Sequence, residues 1–383
     1  MSGSTTDYDV IVVGLGAMGS AAAYRLASRG RRVLGLDRFR PPHEFGSSHG
    51  RTRIIREAYF EHTLYVPLVR RAYELWADLE RQSGQRLLLQ TGGLMIGPPD
   101  GVLVTGARRS AQDHNLPHEV LSAADLRRRF PAFAPDVATI AVWEPRAGIL
   151  FPELAIQSHL ELARKCGATL QCDEPVLHWE SNGQSSRVST VKGSYRADRL
   201  LISAGAWTGS LLPAVPLPLR VERQVLCWFE PGSHPELFQP KRCPIFIWEH
   251  APGRFFYGFP DLGEGVKVAI HHEGEETQPE SLRREVQPDD IAPVKALLQQ
   301  YVPAAAGPLR SAEVCMYTNT PDAHFIFGLH PASSQVLIAS PCSGHGFKFS
   351  PVIGELAATL LGGEVPAFDL SLFTPDRFLR GGH

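Results

Sequence analysis

Apolar residues along the chain follow three patterns, each typical of a different structural element. Residues 64–79 carry apolar side chains at helical spacing, which predicts an amphipathic helix. Residues 9–13 and 199–205 are short apolar runs next to glycine, as in buried parallel strands. Over residues 221–272 the runs alternate or are rich in aromatic residues, which indicates antiparallel strands. We therefore expect a parallel sheet with helices and a second, mainly antiparallel sheet.

The first strand runs directly into the sequence Gly14-Leu15-Gly16-Ala17-Met18-Gly19. A helix is predicted over residues 21–29, and a second apolar run, 33–36, ends at an acidic residue. In such a unit the three glycines permit a tight turn, close approach of a pyrophosphate and close helix packing. The helix N-terminus offers N–H groups to phosphate, and the acid binds ribose. The candidate dinucleotide ligands are Gly14, Gly16, Gly19 and Asp37.

A second unit of strand, glycine loop and helix lies near the end of the chain. Residues 336–339 are predicted as a strand, Ser343-Gly344-His345-Gly346 as a loop, and residues 351–361 as a helix. A nicotinamide dehydrogenase usually completes its dinucleotide site in one continuous domain. In flavoproteins of the FAD-binding class, the chain often leaves the nucleotide-binding domain and returns to it near the C-terminus. We therefore predict an α/β and α+β protein with a discontinuous Rossmann-like FAD-binding domain and an inserted, mainly antiparallel substrate domain. The FAD-binding domain would take residues 1–85, 145–220 and 311–383, and the substrate domain residues 86–144 and 221–310.

Composition excludes several classes of protein. The 383 residues are 43% hydrophobic and 20% charged with a net charge of −2, which is typical of a globular protein and argues against a nucleic-acid partner. No apolar run reaches the roughly 18 residues of a membrane span. Residues 1–8 lack a signal-peptide pattern, and the final residues 380–383 are not a peroxisomal address. A cytoplasmic protein without a membrane partner is expected.

Metal-binding signatures are absent from the sequence. The six cysteines include no C-x-x-C pair, and no H-E-x-x-H motif occurs among the fifteen histidines. We therefore expect no metal.

The segment Gly46-Ser47-Ser48-His49-Gly50 fits the G-x-S-x-G pattern of hydrolases. That motif requires a strand immediately before it, and the preceding Pro41-Pro42 is incompatible with a central strand. We interpret the segment as a loop whose small hydroxyl side chains, Ser47 and Ser48, face the cofactor.

Three basic residues are candidates for binding an anion. Arg53 and Arg56 flank the apolar pair Ile54-Ile55, and a partly buried arginine needs an anionic partner. Lys348 stands between two aromatic residues directly after the second glycine loop, where it would add positive charge near the cofactor. Spacing alone leaves the roles of Cys315 and Lys267 open: either could be an ordinary interior residue.

These motifs together resemble the monomeric sarcosine oxidase family of FAD-dependent amine oxidases, which includes N-methyltryptophan oxidase and L-pipecolate oxidase. The resemblance spans the chain. It is carried by the first glycine motif, by the segment 46–56, and by Tyr257-Gly258-Phe259-Pro260. Cys315-Met316-Tyr317-Thr318 and Ser343-Gly344-His345-Gly346-Phe347-Lys348 are the motifs most specific to the family.

The resemblance implies a role for each matched residue. Cys315 would carry the flavin through a thioether, Arg56 and Lys348 would hold the substrate carboxylate, and Lys267 would lie near flavin N5 and activate oxygen. Pro341 and Cys342 replace the Gly-Phe pair expected before the second glycine loop. The residues expected to line the substrate pocket are Tyr257, His271 and Tyr317. The remaining expected cofactor ligands are Ser47, Ser48, Thr52, Arg53, Gly344, Gly346 and Phe347.

The function implied is oxidation of the C–N bond of a secondary amino acid, N-methylated or cyclic, with O2 reduced to H2O2. A sarcosine oxidase-like enzyme, monomeric and with covalently bound FAD, is the first expectation. The alternatives are an L-pipecolate or proline-type oxidase, a dehydrogenase that uses an acceptor other than O2, and a flavoprotein without catalytic activity.

Overall fold

The computed structural model describes residues 7–215 and 217–379. The helices are α1 (Ala17–Ser28), α2 (Tyr65–Ser83), α3 (Val102–Asp113), α4 (Ala123–Arg129), α5 (Pro152–Lys165), α6 (Thr208–Leu211), α7 (Pro288–Tyr301) and α8 (Ser350–Leu361). The strands are β1 (Tyr8–Val13), β2 (Val33–Leu36), β3 (Arg53–Ile55), β4 (Leu88–Gln90), β5 (Gly93–Gly97), β6 (Glu119–Ser122), β7 (Ile140–Glu144), β8 (Gly148–Leu150), β9 (Thr169–Gln171), β10 (Val176–Ser181), β11 (Ser186–Thr190), β12 (Ser194–Ile202), β13 (Arg220–Phe229), β14 (Ile245–Ala251), β15 (Arg254–Gly258), β16 (Val266–His271), β17 (Glu276–Thr277), β18 (Leu309–Asn319), β19 (Ile326–His330) and β20 (Ser333–Ser340).

The first sheet brings the two glycine loops together. Strands β20, β12, β1, β2 and β9 lie side by side and parallel, with β19 antiparallel at one edge and the hairpin β10–β11 on the first half of β12. Helix α1 packs against α5 and α8, and Gly354 permits close approach, because a Cβ there would lie 2.6 Å from the Ala21 carbonyl carbon. Since parallel strands end at the same edge, the loops after β1 and β20 are neighbours, and the predicted return of the chain is confirmed.

The second sheet has the strand order β17-β13-β16-β15-β14-β5-β7-β6, and β18 pairs along the full length of β13. Its pairs are antiparallel as predicted, apart from β14 with β5. A third, small sheet joins β3, β8 and β4. Buried aromatic residues of the second sheet, including Phe246, Trp248 and Phe256, form a core of their own with α7. The assignment of chain segments to two domains stays a prediction.

Three boundaries differ from the sequence prediction. Helix α1 begins at Ala17, one turn before the predicted start at residue 21. The prediction began too late because the first turn contains Gly19 and Ser20, which are weaker helix formers than the alanines that follow. The strand predicted over 199–205 begins earlier and ends at Ile202. Residues 53–55, for which no strand was predicted, form the short strand β3 paired with β8.

Within the ranges 7–215 and 217–379, no helix combines the length and apolar character needed to cross a bilayer. The cytoplasmic location expected from the sequence rests partly on residues 1–6 and 380–383, which lie outside the described residues, and it stays a prediction.

Candidate active site

A large cavity lies at the edge of the parallel sheet and continues against strands β13 to β18 of the second sheet. The structure brings most of the predicted site residues to its wall. Those lining it are Gly14, Gly16, Asp37, Ser47, Ser48, Arg53, Arg56, Tyr257, His271, Cys315, Tyr317, Gly344, Gly346, Phe347 and Lys348. The predicted residues outside this lining are Gly19, Thr52 and Lys267. Pro341 and Cys342, which depart from the family pattern, also line it.

The first glycine loop has the geometry that a phosphate needs. Gly14 has a φ of +89°, which favours glycine, and Gly19 packs so closely that a Cβ there would lie 1.7 Å from Gly14 O. Gly16 precedes α1 without a side-chain cap, and the nearest atom to a Cβ at this position is Ser48 Oγ at 4.0 Å. The helix N-terminus is therefore open toward the cavity.

Asp37 is hydrogen-bonded to the same loop. One carboxylate oxygen accepts a hydrogen bond from Leu15 N at 2.7 Å, and the other accepts from Phe39 N at 2.8 Å. Burial raises the Asp37 pKa, against the effect of these two amide donors. Because a carboxylate oxygen accepts more than one hydrogen bond, Asp37 keeps acceptor capacity at the cavity wall. Its role as ribose ligand stays a prediction.

Cys315 lies on β18 in a cationic environment. Arg53 Nη2 is 3.7 Å from its Sγ and also donates to the backbone oxygens of Ser47 at 2.9 Å and His49 at 2.6 Å. Burial raises the pKa of the thiol, but His49 and then Arg53 outweigh it and hold the Cys315 pKa at about 7. A thiol with this pKa is substantially thiolate at neutral pH, the form that acts as a nucleophile.

His49 was not singled out from the sequence, although it stands inside the segment 46–50. It is 4% exposed, and its Nδ1 lies 3.7 Å from Glu313 Oε2. Burial lowers the pKa of the imidazole, but the Cys315 thiol and the Glu313 carboxylate outweigh that effect and raise it to about 9. His49 is therefore a cation beside the thiol.

Arg56 is held in place by a residue that sequence reasoning missed. Its Nη2 donates to both carboxylate oxygens of Glu61 at 2.7 Å, and its Nη1 donates to Ala58 O at 2.9 Å. Its Nε is buried and has no hydrogen-bond partner among the described residues. The guanidinium therefore keeps N–H donors, Nε among them, that the described residues do not use. Glu61 is an isolated acid in a loop, and no sequence pattern marks it.

Lys348 lies in a 3-10 turn, Phe347–Phe349, directly before α8. The ammonium nitrogen donates to His345 O at 2.9 Å and contacts Tyr59 Oη at 3.4 Å. Burial and then the positive charge of Arg56 lower the Lys348 pKa to about 7. Two basic groups at one cavity with a single neighbouring carboxylate, Glu61, favour the binding of a further anion.

Another part of the cavity wall is aromatic and uncharged. Tyr257 Oη is 3.4 Å from Tyr317 Oη, which lies 3.3 Å from His271 Nδ1. Burial, reinforced by the neighbouring His272, lowers the His271 pKa well below its usual value, so that the imidazole is neutral. This wall offers a ligand polar contacts without charge.

Lys267 lies behind the glycine-rich loop. Its Nζ donates to Gly50 O at 2.5 Å, to Thr52 O at 3.1 Å and to Thr52 Oγ1 at 3.0 Å. Burial and then Arg53 lower its pKa well below the usual value. The three acceptors use all three donors of an ammonium group. A role for Lys267 near the flavin stays a prediction.

FAD fits the residues that form this cavity. The uncapped N-terminus of α1 and the open face of Gly16 suit the pyrophosphate. Thr318, which the sequence motif contained without a stated role, has a buried hydroxyl at the wall with no hydrogen-bond partner in the described chain. A buried polar group of this kind is matched by a ligand.

The sequence profile of a family described as FAD dependent oxidoreductase matches residues 9–360. The chain belongs to the FAD-dependent oxidoreductases. Its cofactor is therefore FAD, as the two glycine loops predicted.

Individual members of the FAD-dependent oxidoreductases resemble this chain from end to end. The chain is 44% identical over 374 residues to the monomeric sarcosine oxidase of Streptomyces avermitilis, covering 97% of each protein. It is 37% identical to the N-methyl-L-tryptophan oxidase of Salmonella heidelberg, covering 97% of this chain and 99% of that one. These identities place the chain among the relatives of sarcosine oxidase, as the motifs predicted.

Solved structures of other proteins have the same fold. NikD, an unusual amino acid oxidase essential for nikkomycin biosynthesis, superposes in its open form with a TM-score of 0.85 at 25% identity, over 99% of this chain and 100% of that one. The L-proline dehydrogenase of P. horikoshii superposes with a TM-score of 0.84 at 22% identity, over 98% and 99% of the two chains. The predicted fold class is confirmed.

Proposed function

We propose that this protein oxidises the C–N bond of a small secondary amino acid, N-methylated or cyclic, to an imine and passes the electrons to O2. The observation that carries the proposal is the paired cationic site of Arg56 and Lys348 in a cavity that also has an uncharged aromatic wall. The cations suit a carboxylate, and the neutral His271 suits an amine without its proton. The names of the relatives support this substrate class.

The residues of the chain would bind and orient the substrate. Arg56 Nε and the Lys348 ammonium would donate to the carboxylate, and Tyr257, Tyr317 and His271 would enclose the amine. Positive charge next to the substrate favours loss of its ammonium proton, which frees the nitrogen lone pair. Bound FAD would supply the two-electron oxidising chemistry, as acceptor of a hydride equivalent and donor of electrons to O2.

The overall reaction balances with water and dioxygen. Sarcosine, O2 and water would give glycine, formaldehyde and H2O2, since the imine hydrolyses once it leaves the site. The protein contributes chiefly by holding the C–H bond in line with the flavin.

An anaerobic flavin-reduction screen tests the proposal. Under nitrogen, N-methyl and cyclic amino acids are expected to bleach the flavin absorbance, whereas the same compounds with the carboxylate converted to an amide are not. Air should then restore the absorbance and yield one H2O2 for each substrate consumed. Bleaching that only an added electron carrier reverses would identify a dehydrogenase, and no bleaching by any secondary amino acid would refute the proposal.

We also propose that Cys315 holds the flavin covalently, since its thiol has a lowered pKa beside His49 and Arg53. In the purified Cys315→Ala variant, acid precipitation should release the flavin into the supernatant, whereas the wild-type pellet should keep it. Cys342→Ala is the matched control, because the pKa of that thiol is raised to about 11 by burial and it lines the same cavity. Yellow protein after precipitation of Cys315→Ala would contradict the assignment.

A role for Lys267 in the reaction with oxygen can be separated from substrate binding. We expect Lys267→Met to slow reoxidation of the reduced flavin by at least about tenfold, because it removes a positive charge that stabilises negative charge developing on oxygen. Flavin reduction under nitrogen should change by less than about twofold. Equal slowing of both half-reactions in stopped-flow measurements would show instead that Lys267 supports the loop at Gly50 and Thr52.

The proposal includes a monomer in solution, which follows the name of the sarcosine oxidase relatives.

A further inference from the structure

Arg56 and Lys348 form what we call the anion site. Tyr59 contacts both of these residues but does not line the cavity. The guanidinium carbon of Arg56 lies over its ring at 4.3 Å from the centroid, and Lys348 Nζ lies 5.2 Å from the same centroid. Lys348 Nζ also contacts the phenol oxygen at 3.4 Å. Tyr59 is fully buried. Both cations are therefore in contact with one aromatic side chain, whose π face attracts positive charge.

The direction of the Tyr59 hydroxyl is fixed by His345. His345 Nε2 is 3.0 Å from Ala323 O, and a carbonyl oxygen only accepts, so this nitrogen carries the proton. Burial lowers the His345 pKa to about 3, so the other nitrogen is unprotonated. His345 Nδ1 therefore accepts from Tyr59 Oη at 2.6 Å.

This arrangement gives the hydrogen bonds one direction. Because the proton of Tyr59 Oη is used toward His345, its lone pairs are left for the Lys348 ammonium. Lys348 thus has two oxygen acceptors on the protein side, Tyr59 Oη at 3.4 Å and His345 O at 2.9 Å. A buried ammonium needs such acceptors to remain charged, and its third N–H is left for a ligand.

We propose that Tyr59 is a positioning residue of the anion site: its ring aligns Arg56, and its hydroxyl, oriented by His345, holds Lys348 toward the bound carboxylate. The inference rests on the proposed function, because it assumes that the anion is the substrate carboxylate.

Tyr59→Phe keeps the ring and removes the hydroxyl. We expect the KM for a secondary amino acid to rise about tenfold, because Lys348 loses one charge-assisted hydrogen bond. The limiting rate of flavin reduction at saturating substrate should stay within about twofold. The alkaline limb of kcat/KM should move to lower pH, because an ammonium that loses an acceptor gives up its proton more readily. Arg56 and Glu61 are the charged groups that face Lys348, and the substitution leaves both unchanged.

Tyr65→Phe is the matched control. Its ring lies 4.6 Å from that of Tyr59, and its hydroxyl contacts His324 Nδ1 at 3.2 Å. Tyr65 belongs to the same aromatic cluster but has no hydrogen bond to Lys348 or Arg56, so the KM of the Tyr65→Phe variant should stay at the wild-type value.

His345→Asn is the conservative variant, because the amide oxygen can take the place of Nδ1 as acceptor. It should keep KM within about threefold of wild type.

Binding of methoxyacetate to the holoenzyme provides a readout without turnover. This ether carboxylate cannot be oxidised as an amine, and its Kd can be measured from the change in flavin absorbance. We expect Tyr59→Phe to raise that Kd about tenfold, even if no secondary amino acid proves to be a substrate and the proposed function fails. Equal effects of Tyr59→Phe and Tyr65→Phe on KM and Kd would overturn the inference. So would a slower limiting rate with an unchanged Kd.

Discussion

Replacing Arg56 by alanine is expected to lower kcat/KM for a secondary amino acid by about 10 to 10². The guanidinium is buried, and its Nε has no hydrogen-bond partner among the described residues. Charge-assisted hydrogen bonds contribute about 1.5–3 kcal/mol each, and 1.4 kcal/mol corresponds to tenfold. The loss should be largely in KM, measured by steady-state kinetics, and it should disappear for substrates that carry an amide in place of the carboxylate.

The Arg56→Ala variant also leaves the Glu61 carboxylate buried without its partner, which is destabilising in its own right. The double variant Arg56→Ala/Glu61→Gln separates the two effects. We expect it to recover thermal stability while keeping the low kcat/KM. Recovery of kcat/KM in the double variant would mean that Arg56 neutralises Glu61 and does not bind the substrate.

Replacing Gly19 by alanine is expected to abolish FAD binding. A Cβ at this position would lie 1.7 Å from Gly14 O and 2.7 Å from the Ser203 hydroxyl, which itself donates to Gly14 O at 2.9 Å. Helix α1 would have to move away from the loop that receives the pyrophosphate. We expect a loss of about 3 kcal/mol in the free energy of unfolding, at the upper end for overpacking. The ratio of flavin to protein absorbance and a denaturant titration measure the two effects.

Gly209→Ala is the control, since Gly209 also lies in a helix and a Cβ there meets no atom within 4 Å. Alanine is favoured over glycine in a helix by about 1 kcal/mol, so this variant should be as stable as wild type or more so. A Gly19→Ala protein with full flavin content would show that α1 can shift without loss of the phosphate site.

The fold was predictable because its signals are local. The strands β1 and β12 and the helix α2 each have a strong pattern of apolar residues. The two glycine loops could be recognised because each lies between a predicted strand and a predicted helix. The start of α1 and the strand β3 were not predictable in the same way. Glycine obscures the helical pattern in the first case, and β3 exists only because β8, far along the chain, pairs with it.

The residues of the candidate site also differ in whether the local sequence marks them. Arg56, Cys315 and Lys348 lie in motifs, so their types and neighbours could be interpreted. His49 and Tyr59 matter through partners that are distant in sequence, Glu313 and His345. The partner of Glu61, Arg56, is near in sequence, but no periodicity marks the pair. Lys267 interrupts an apolar alternation, which left its role open, and its three backbone and hydroxyl acceptors could only be found from the structure.

The arrangement of the parallel sheet has a consequence for how the protein is made. Strand β20 pairs with β12, and α8 packs on α1, yet both are synthesised long after α1. At about 5–20 residues per second, α1 and β1 would wait on the order of 20 to 70 s on the ribosome for these partners. Until then the apolar side of α1 that receives α8 is uncovered, and the second glycine loop does not exist. A cofactor site that needs both glycine loops therefore cannot form until the segment that carries β20 and α8 has been synthesised.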